Sequence, residues 1–130
     1  MIKVHFISEL SDKYNFNKLS LSGLVLKTME RLEITNGIIE VILLDPDAIK
    51  TLNQKYRQID KPTDVLSFPQ AEIPGNRKII GSIVISPELV SEMQETLTEV
   101  LVHGCLHLAG YDHETDQKKW EEALNRIGGE

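Results

Sequence analysis

Three histidines within eleven residues constrain the fold of this chain more than any other feature. On a helix, residues four apart share one face with Cβ atoms about 5–6 Å apart, so His103 and His107 can reach one ion. On a straight helix His113 cannot join them, because six further residues rotate it by about 240° and advance it by about 9 Å. The chain must therefore turn before His113, and Gly110 stands where a left-handed turn is needed.

Three imidazole ligands are typical of a catalytic zinc site. Structural zinc sites are usually closed by four protein ligands, whereas catalytic sites keep three ligands and a water whose pKa falls to about 7. Cys105 is not expected to be a fourth ligand, because it lies two residues after His103 and points to another side of the helix. We predict one Zn²⁺ ion on His103, His107 and His113 with an open position, although such a site also accepts nickel, copper or iron.

Periodicity and turn signals predict the element order β-α-β-α-β-β-α-α. The early β-α units favour parallel pairing, and the β-β step near residues 70–78 favours a hairpin. We therefore predict an α+β fold with a small mixed four-stranded sheet, mostly parallel with one antiparallel strand, covered by helices. The expected strands are 2–7, 38–44, 63–69 and 78–86, and the expected helices are 17–33, 46–57, 115–127 and a long metal-binding helix of about 23 residues from 87 to near 110.

Composition limits the classes of protein to which the chain can belong. Its 130 residues, 41% of them hydrophobic, fit a single domain over 1–130. The net charge of −6 excludes a uniformly basic nucleic-acid binder but not a local basic patch. One cysteine, no signal-peptide pattern and no apolar run long enough for a bilayer predict a cytoplasmic protein with no membrane partner. The sequence sets no oligomeric state.

The histidine segment resembles the H-E-x-x-H-x-x-G-x-x-H motif of metzincin proteases at every fixed position but one. Gly104 replaces the glutamate that serves those proteases as general base. This replacement argues against peptide hydrolysis by that mechanism and leaves the metal site intact.

Two long motifs together resemble the YbeY family of bacterial ribosomal-RNA maturation factors and single-strand-specific endoribonucleases. Residues 57–69 match R-x-x-D-x-x-T-D-V-L-S-F-P, and residues 103–113 match H-G-x-x-H-L-x-G-Y-D-H. Gly81 and Ile83 fit a third motif, G-D-I, in which Ser82 replaces the family's aspartate. The motifs stand in the family's order and spacing.

The resemblance implies metal-dependent RNA hydrolysis in ribosomal-RNA maturation, including the 3′ end of the small-subunit RNA, and a role in ribosome quality control. RNA and the ribosome or its small subunit are then the expected partners. Arg57 corresponds to the family's functionally implicated arginine, and a guanidinium can grip a phosphate through two parallel hydrogen bonds. The alternative for Arg57 is a helix-terminal arginine bonded to the last carbonyls. In the working hypothesis zinc activates a water or polarises a phosphoryl oxygen while Arg57 holds the scissile phosphate.

Several other residues have two possible roles. Asp64 either orients a ligand histidine or forms an Asx turn after Pro62, and Asp112 and Glu114 either carry protons or cap the last helix. A basic lane for the RNA backbone is expected from four residues. These are Lys55, Lys61, Arg77 and Lys78.

Two rival functions stay open at this point. One is a zinc-dependent hydrolase of another substrate, such as a peptide or a small ester. The other is a non-catalytic ribosome-assembly factor whose metal is structural.

Overall fold

The computed structural model describes residues 1–69 and 79–128, and this part of the chain contains four strands and five helices. None of these helices is long and apolar enough to cross a bilayer. The predicted loop 73–76 lies outside the described residues. In chain order the elements are β1 (Ile2–Ser8), α1 (Lys18–Arg31), β2 (Gly37–Leu43), α2 (Pro46–Arg57), β3 (Val65–Pro69), β4 (Ile79–Ile85), α3 (Pro87–Glu92), α4 (Leu97–Leu108) and α5 (Gln117–Gly128).

The four strands form one mixed sheet in the order β1-β2-β4-β3. β1 pairs with β2 in parallel, with Val4 opposite Ile39, and β2 pairs with β4 in parallel, with Val41 opposite Ile83. β3 runs antiparallel to β4 and occupies one end of the sheet. The predicted mixed sheet with a single antiparallel strand is therefore confirmed.

Strand alternation distributes the apolar side chains of the sheet between two cores. Ile83 and Ile85 of β4 belong to the larger core with residues of α1, α4 and α5, whereas Val84 points into a smaller core with Ile49 of α2. Helices thus cover both faces, and α4, which carries two of the candidate ligands, packs on the larger core. Contacts between α5 and α1 close this side of the molecule, where Arg126 donates to the Arg31 carbonyl at 3.0 Å.

The prediction of one long helix from 87 to about 110 is wrong, because two helices, α3 and α4, occupy this stretch. α3 ends with Gln94 in a left-handed conformation (φ 59°), and the N–H of Glu95 donates to the Val90 carbonyl at 3.0 Å. α4 then begins with a capping box, in which Thr96 Oγ1 accepts from the Glu99 N–H and Glu99 Oε1 accepts from the Thr96 N–H, both at 3.1 Å. The T-x-x-E signature of this start was present in the sequence.

Two glycines let α4 lie close to the sheet. A Cβ atom on Gly81 of β4 would stand 2.4 Å from Leu108 Cδ2 and 2.7 Å from the Phe68 carbonyl oxygen. A Cβ atom on Gly104 of α4 would stand 2.8 Å from Ile83 Cγ2. Neither position has room for a side chain, so the helix bearing His103 and His107 is set against β4 at a short distance.

Adding a methyl group at Gly81 should therefore destabilise the protein. We expect Gly81→Ala to lower the free energy of unfolding by about 1–3 kcal/mol, because the Phe68 backbone cannot move aside cheaply. Gly23→Ala in α1 is the matched control, since nothing lies within 4 Å of its Cβ position, and it should gain about 0.5–1 kcal/mol from helix propensity. Chemical denaturation measures both changes, and equal effects would contradict the packing argument.

Candidate metal centre

α4 places the first two imidazoles side by side, as the four-residue spacing requires. The Nε2 atoms of His103 and His107 lie 3.0 Å apart, and the ring centroids are 4.7 Å apart. Both nitrogens therefore point towards one place beside the helix.

The third imidazole, that of His113, lies close to the other two because α4 ends in a Schellman motif. Gly110 adopts φ +97°, its N–H donates to the His107 carbonyl, and the Tyr111 N–H donates to the Leu106 carbonyl, each at 3.0 Å. A Cβ atom on Gly110 would meet nothing within 4 Å, so glycine is needed there for its conformation and not for space. After this turn the His113 ring lies 5.3 Å from that of His103 and 5.9 Å from that of His107, centroid to centroid.

The geometry of the three rings suits one metal ion. One ligand nitrogen from each of His103, His107 and His113 lies within 4.8 Å of the others. Tetrahedral zinc with Zn–N distances of about 2.0–2.1 Å needs nitrogens about 3.3 Å apart, so only small ring movements separate this arrangement from a coordinating one. Burial, followed by the neighbouring histidines, lowers the pKa of His103, and burial also lowers the pKa of His107. Both rings are thereby kept in the neutral form that binds a metal.

Trp120 of α5 forms the wall behind all three imidazoles. Its ring centroid lies 4.8 Å from that of His103, 5.2 Å from that of His107 and 5.0 Å from that of His113. The side chain is buried, so it restricts how far each imidazole can turn. Sequence reasoning missed this residue, whose only signal was a lone tryptophan on the last amphipathic helix.

Two other residues of the histidine segment face away from the rings. Cys105 is fully buried in the larger core, and this burial raises the pKa of its thiol to about 12, so it offers no thiolate to a metal. Gly104 faces Ile83 of β4 at a distance that leaves no room for the glutamate found in metzincins.

Arg57 and the histidine site line the same cleft, which has a volume of about 430 Å³. The guanidinium lies at the end of α2, where Nη1 donates to the Tyr56 carbonyl at 3.2 Å and Nη2 donates to the Ser67 carbonyl of β3 at 2.9 Å. The bond to a carbonyl of its own helix agrees with the structural alternative for Arg57, but the second bond holds the side chain against the strand that borders the cleft. His103, His107 and Asp112 line the same space.

Asp64 makes local hydrogen bonds. Its Oδ1 atom accepts from the Val65 N–H at 2.9 Å and from the Thr63 hydroxyl at 3.2 Å, whereas an Asx turn would use the N–H two residues ahead. A side-chain hydrogen bond with Asp64, followed by burial, raises the pKa of Glu95.

The cap of the last helix is not one of the two acids beside His113. Asp116 Oδ1 accepts from the Lys119 N–H at 3.1 Å, so Asp116 caps α5. Asp112 instead orders the approach to the helix, because its Oδ1 accepts from the Glu114 N–H at 2.8 Å.

Ser82, which replaces the aspartate of the third motif, points away from the histidines. Alternation along β4 places it on the opposite face from Ile83, which packs against α4. Its hydroxyl donates to Glu40 Oε1 at 3.1 Å, so a carboxylate from β2 lies at this position. The missing carboxylate therefore leaves the imidazole cluster unaltered.

Of the four residues expected to form the basic lane, two lie in the described part of the chain. Lys55 and Lys61 are both exposed near the end of α2, whereas Arg77 and Lys78 fall outside the described residues.

Comparison with known proteins identifies the family. The family model described as Endoribonuclease YbeY matches residues 7–126. The chain belongs to the YbeY family. YbeY-family relatives include the Endoribonuclease YbeY of Aquifex aeolicus, 40% identical with 85% of this chain and 75% of the relative covered. That of Persephonella marina is 38% identical, with 92% and 84% covered.

The fold of this chain is also similar to that of a solved structure. A Thermotoga maritima protein solved in solution is 33% identical, with 99% of this chain and 90% of that chain covered and a TM-score of 0.51. The family model thus covers nearly the whole chain. Membership of the family is consistent with the mixed sheet and the three-histidine cluster.

Because Trp120 is the chain's only tryptophan, its fluorescence should report metal binding directly. Titration of the metal-free protein with Cu²⁺ or Co²⁺ is expected to quench the emission strongly with one-to-one stoichiometry, since all three candidate ligand rings contact the indole. His113→Ala should need a much higher metal concentration for the same quenching. Saturating metal without a change in emission would contradict this arrangement.

The lowered pKa values of His103 and His107 predict how the stability of the metal-free protein depends on pH. The folded state binds fewer protons than the unfolded chain near the ordinary value of 6.5, so the free energy of unfolding should fall as pH drops below about 6.5. A variant with His103→Gln and His107→Gln should show a shallower fall, measured by denaturation from pH 7.5 to about 5.5. Identical slopes would rule out this contribution.

Proposed function

We propose that this chain is a metal-dependent endoribonuclease that cleaves single-stranded RNA, with the metal on His103, His107 and His113. The observation that carries this proposal is that Arg57 shares one cleft with two of the three imidazoles, those of His103 and His107. Its YbeY-family membership supplies the substrate class, because its relatives are named endoribonucleases.

Each group in the cleft has a defined chemical task. His103, His107 and His113 would hold the metal ion, which would supply Lewis acidity and activate a water. Arg57 binds and orients the scissile phosphate through the guanidinium N–H groups that remain beside those donated to the Tyr56 and Ser67 carbonyls, and it stabilises the negative charge that grows there. Trp120 keeps the imidazoles oriented, and Cys105 stays protonated in the core.

The finer parts of the proposal rest on the residues and on the family together. The metal is zinc, because three imidazoles with an open fourth position are the usual ligand set of catalytic zinc. The RNA is a ribosomal-RNA precursor, including the 3′ end of the small-subunit RNA, and the partner is the ribosome or its small subunit. The protein acts in the cytoplasm, in ribosome maturation and quality control, without a membrane partner, and 1–130 acts as a single domain.

Structural observations weigh against both rival functions. The metzincin route to peptide hydrolysis needs a glutamate at position 104, where Ile83 leaves no space. A purely structural metal does not require an open cleft that is lined by an arginine as well as by His103 and His107.

Removal of a ligand or of Arg57 should therefore abolish or weaken RNA cleavage in different ways. We expect His107→Ala to lose both bound metal and cleavage of single-stranded RNA, and Arg57→Ala to retain the metal while losing about 10²–10³ in kcat/KM. Arg57→Lys should recover only part of this loss, since lysine lacks the planar fork. The measurements are metal analysis and cleavage of matched single-stranded and duplex RNAs.

Tyr14→Ala is the control, because Tyr14 is an exposed tyrosine whose ring stacks on Phe16, away from the cleft. It should cleave like the wild type. Unchanged RNA cleavage by His107→Ala would overturn the metal-dependent mechanism, and cleavage of peptides but not RNA by the wild type would favour the first rival.

A further inference from the structure

A ladder of two aromatic rings with a cation at each end stands at the end of α2, beside the cleft. Lys55 Nζ lies 5.2 Å from the Tyr56 ring centroid, and Arg57 Cζ lies 4.8 Å from the Phe68 ring centroid. The Tyr56 and Phe68 rings contact each other edge to face, with centroids 5.5 Å apart and an interplanar angle of 70°. The ladder of Lys55, Tyr56, Phe68 and Arg57 thus joins α2 to β3.

The ladder has one ring that is open to solvent. Tyr56 is 49% exposed, whereas Phe68 packs partly against the smaller core with Ile49 and Leu66. An edge-to-face contact with Phe68 fixes the tilt of Tyr56 without stacking on it. A half-exposed tyrosine held at a fixed angle contributes little to the stability of the fold, which indicates a role in binding.

The position of the ladder connects it to the candidate active site. Ser67 and Pro69 of β3 line the cleft with Arg57, whereas Phe68 between them packs against the smaller core on the other face of the sheet. Arg57 belongs to both groups, since it lies over the Phe68 ring and also lines the cleft with His103 and His107. Tyr56 precedes Arg57 in α2 and contacts the same Phe68 ring, so it lies beside the edge strand that borders the cleft.

We propose that Tyr56, flanked by Lys55 and Arg57, is a stacking subsite for one unpaired nucleobase of the RNA, next to the phosphate in the cleft. This inference rests on the proposed function and adds a specific contact to it. Proteins that bind single strands without sequence readout combine aromatic platforms with cations that follow the backbone, and this is the composition of the ladder. Lys55, on its flexible stem, contacts an adjacent phosphate when a base covers the tyrosine.

Charge complementarity supports a polyanionic strand at this place. The chain carries a net charge of −6, so its overall field repels RNA and attraction must be local. The ladder provides two cations within one turn of helix. Tyr14, by contrast, lies among four carboxylates and one cation, so the two exposed tyrosines differ in the charge around them. The neighbours of Tyr14 are Asp12, Lys13, Asp45, Glu88 and Glu92.

The subsite also explains a preference for single strands. A base that is paired and stacked within a duplex cannot present its face to Tyr56, whereas an unpaired base can. The subsite therefore selects against duplex RNA without reading sequence.

The test compares the affinities of the wild type and its variants for short single-stranded oligonucleotides whose riboses are 2′-O-methylated. A gel confirms that the oligonucleotides stay intact. Metal-loaded Tyr56→Ala should bind about 5- to 150-fold more weakly than the wild type, and Tyr56→Phe should bind like the wild type. Tyr14→Ala should leave affinity unchanged. Circular dichroism and metal content establish that each variant is folded and loaded.

An abasic site moved along the oligonucleotide tests the stacking directly. In the wild type one abasic position should weaken binding by the same factor as Tyr56→Ala, and in Tyr56→Ala that position should cost nothing further. Lys55→Gln should reduce the dependence of log affinity on log salt by about 1, whereas Tyr56→Ala should leave it unchanged.

The outcomes separate this inference from the proposed function. If the wild type binds and cleaves single-stranded RNA but Tyr56→Ala binds equally well, the stacking subsite is wrong and the nuclease proposal stands. If Tyr56→Ala and Tyr56→Phe weaken binding equally, the phenol hydroxyl and not the ring makes the contact, which also overturns the inference. If the wild type neither binds nor cleaves RNA, the proposed function itself fails.

Discussion

The left-handed turn at the end of α4 is the constraint on which the rest of this structure depends. Two imidazoles on one helical face converge for any helix with this spacing, but the third comes within reach only because Gly110 reverses the chain. The turn is closed by hydrogen bonds to the His107 and Leu106 carbonyls, so one ligand residue also anchors the backbone that delivers the next. Trp120 then limits the freedom of all three rings from behind.

Close packing between α4 and β4 gives this cluster its place in the molecule. Gly81 and Gly104 remove the side chains that would hold helix and strand apart, and Ile83 fills the space at Gly104. The same contact explains why the metzincin glutamate has no counterpart here. This packing also places the imidazoles beside the edge strand β3. Arg57, at the end of α2 on the other face of the sheet, bonds to β3 and lines the same cleft. Elements from both faces of the sheet thus meet at its β3 end.

Much of the fold could be read from the sequence because its signals were local. Apolar runs and turn residues predicted the four strands and their mixed pairing, and Gly110 marked the end of the ligand helix. The error was the helix predicted from 87 to about 110, where apolar periodicity outweighed the capping box at Thr96 and Glu99. For the site, the sequence spacing of the three histidines predicted that they converge, and the family motif indicated Arg57. Trp120 was missed because only the tertiary structure brings it against the three imidazoles, and Tyr56 because its contact with Phe68 joins α2 to β3.

The sequence by itself determined which donors are available and how the chain near them must bend, since helical spacing and glycine's left-handed conformation are properties of a few consecutive residues. Only the tertiary structure decided what surrounds those donors. Whether Asp64 bonds to its neighbours or to a histidine, whether Ser82 faces the metal centre, and which ring stands behind the imidazoles all depend on how helices pack on the sheet. Such contacts join residues that are distant along the chain, and no local pattern encodes them.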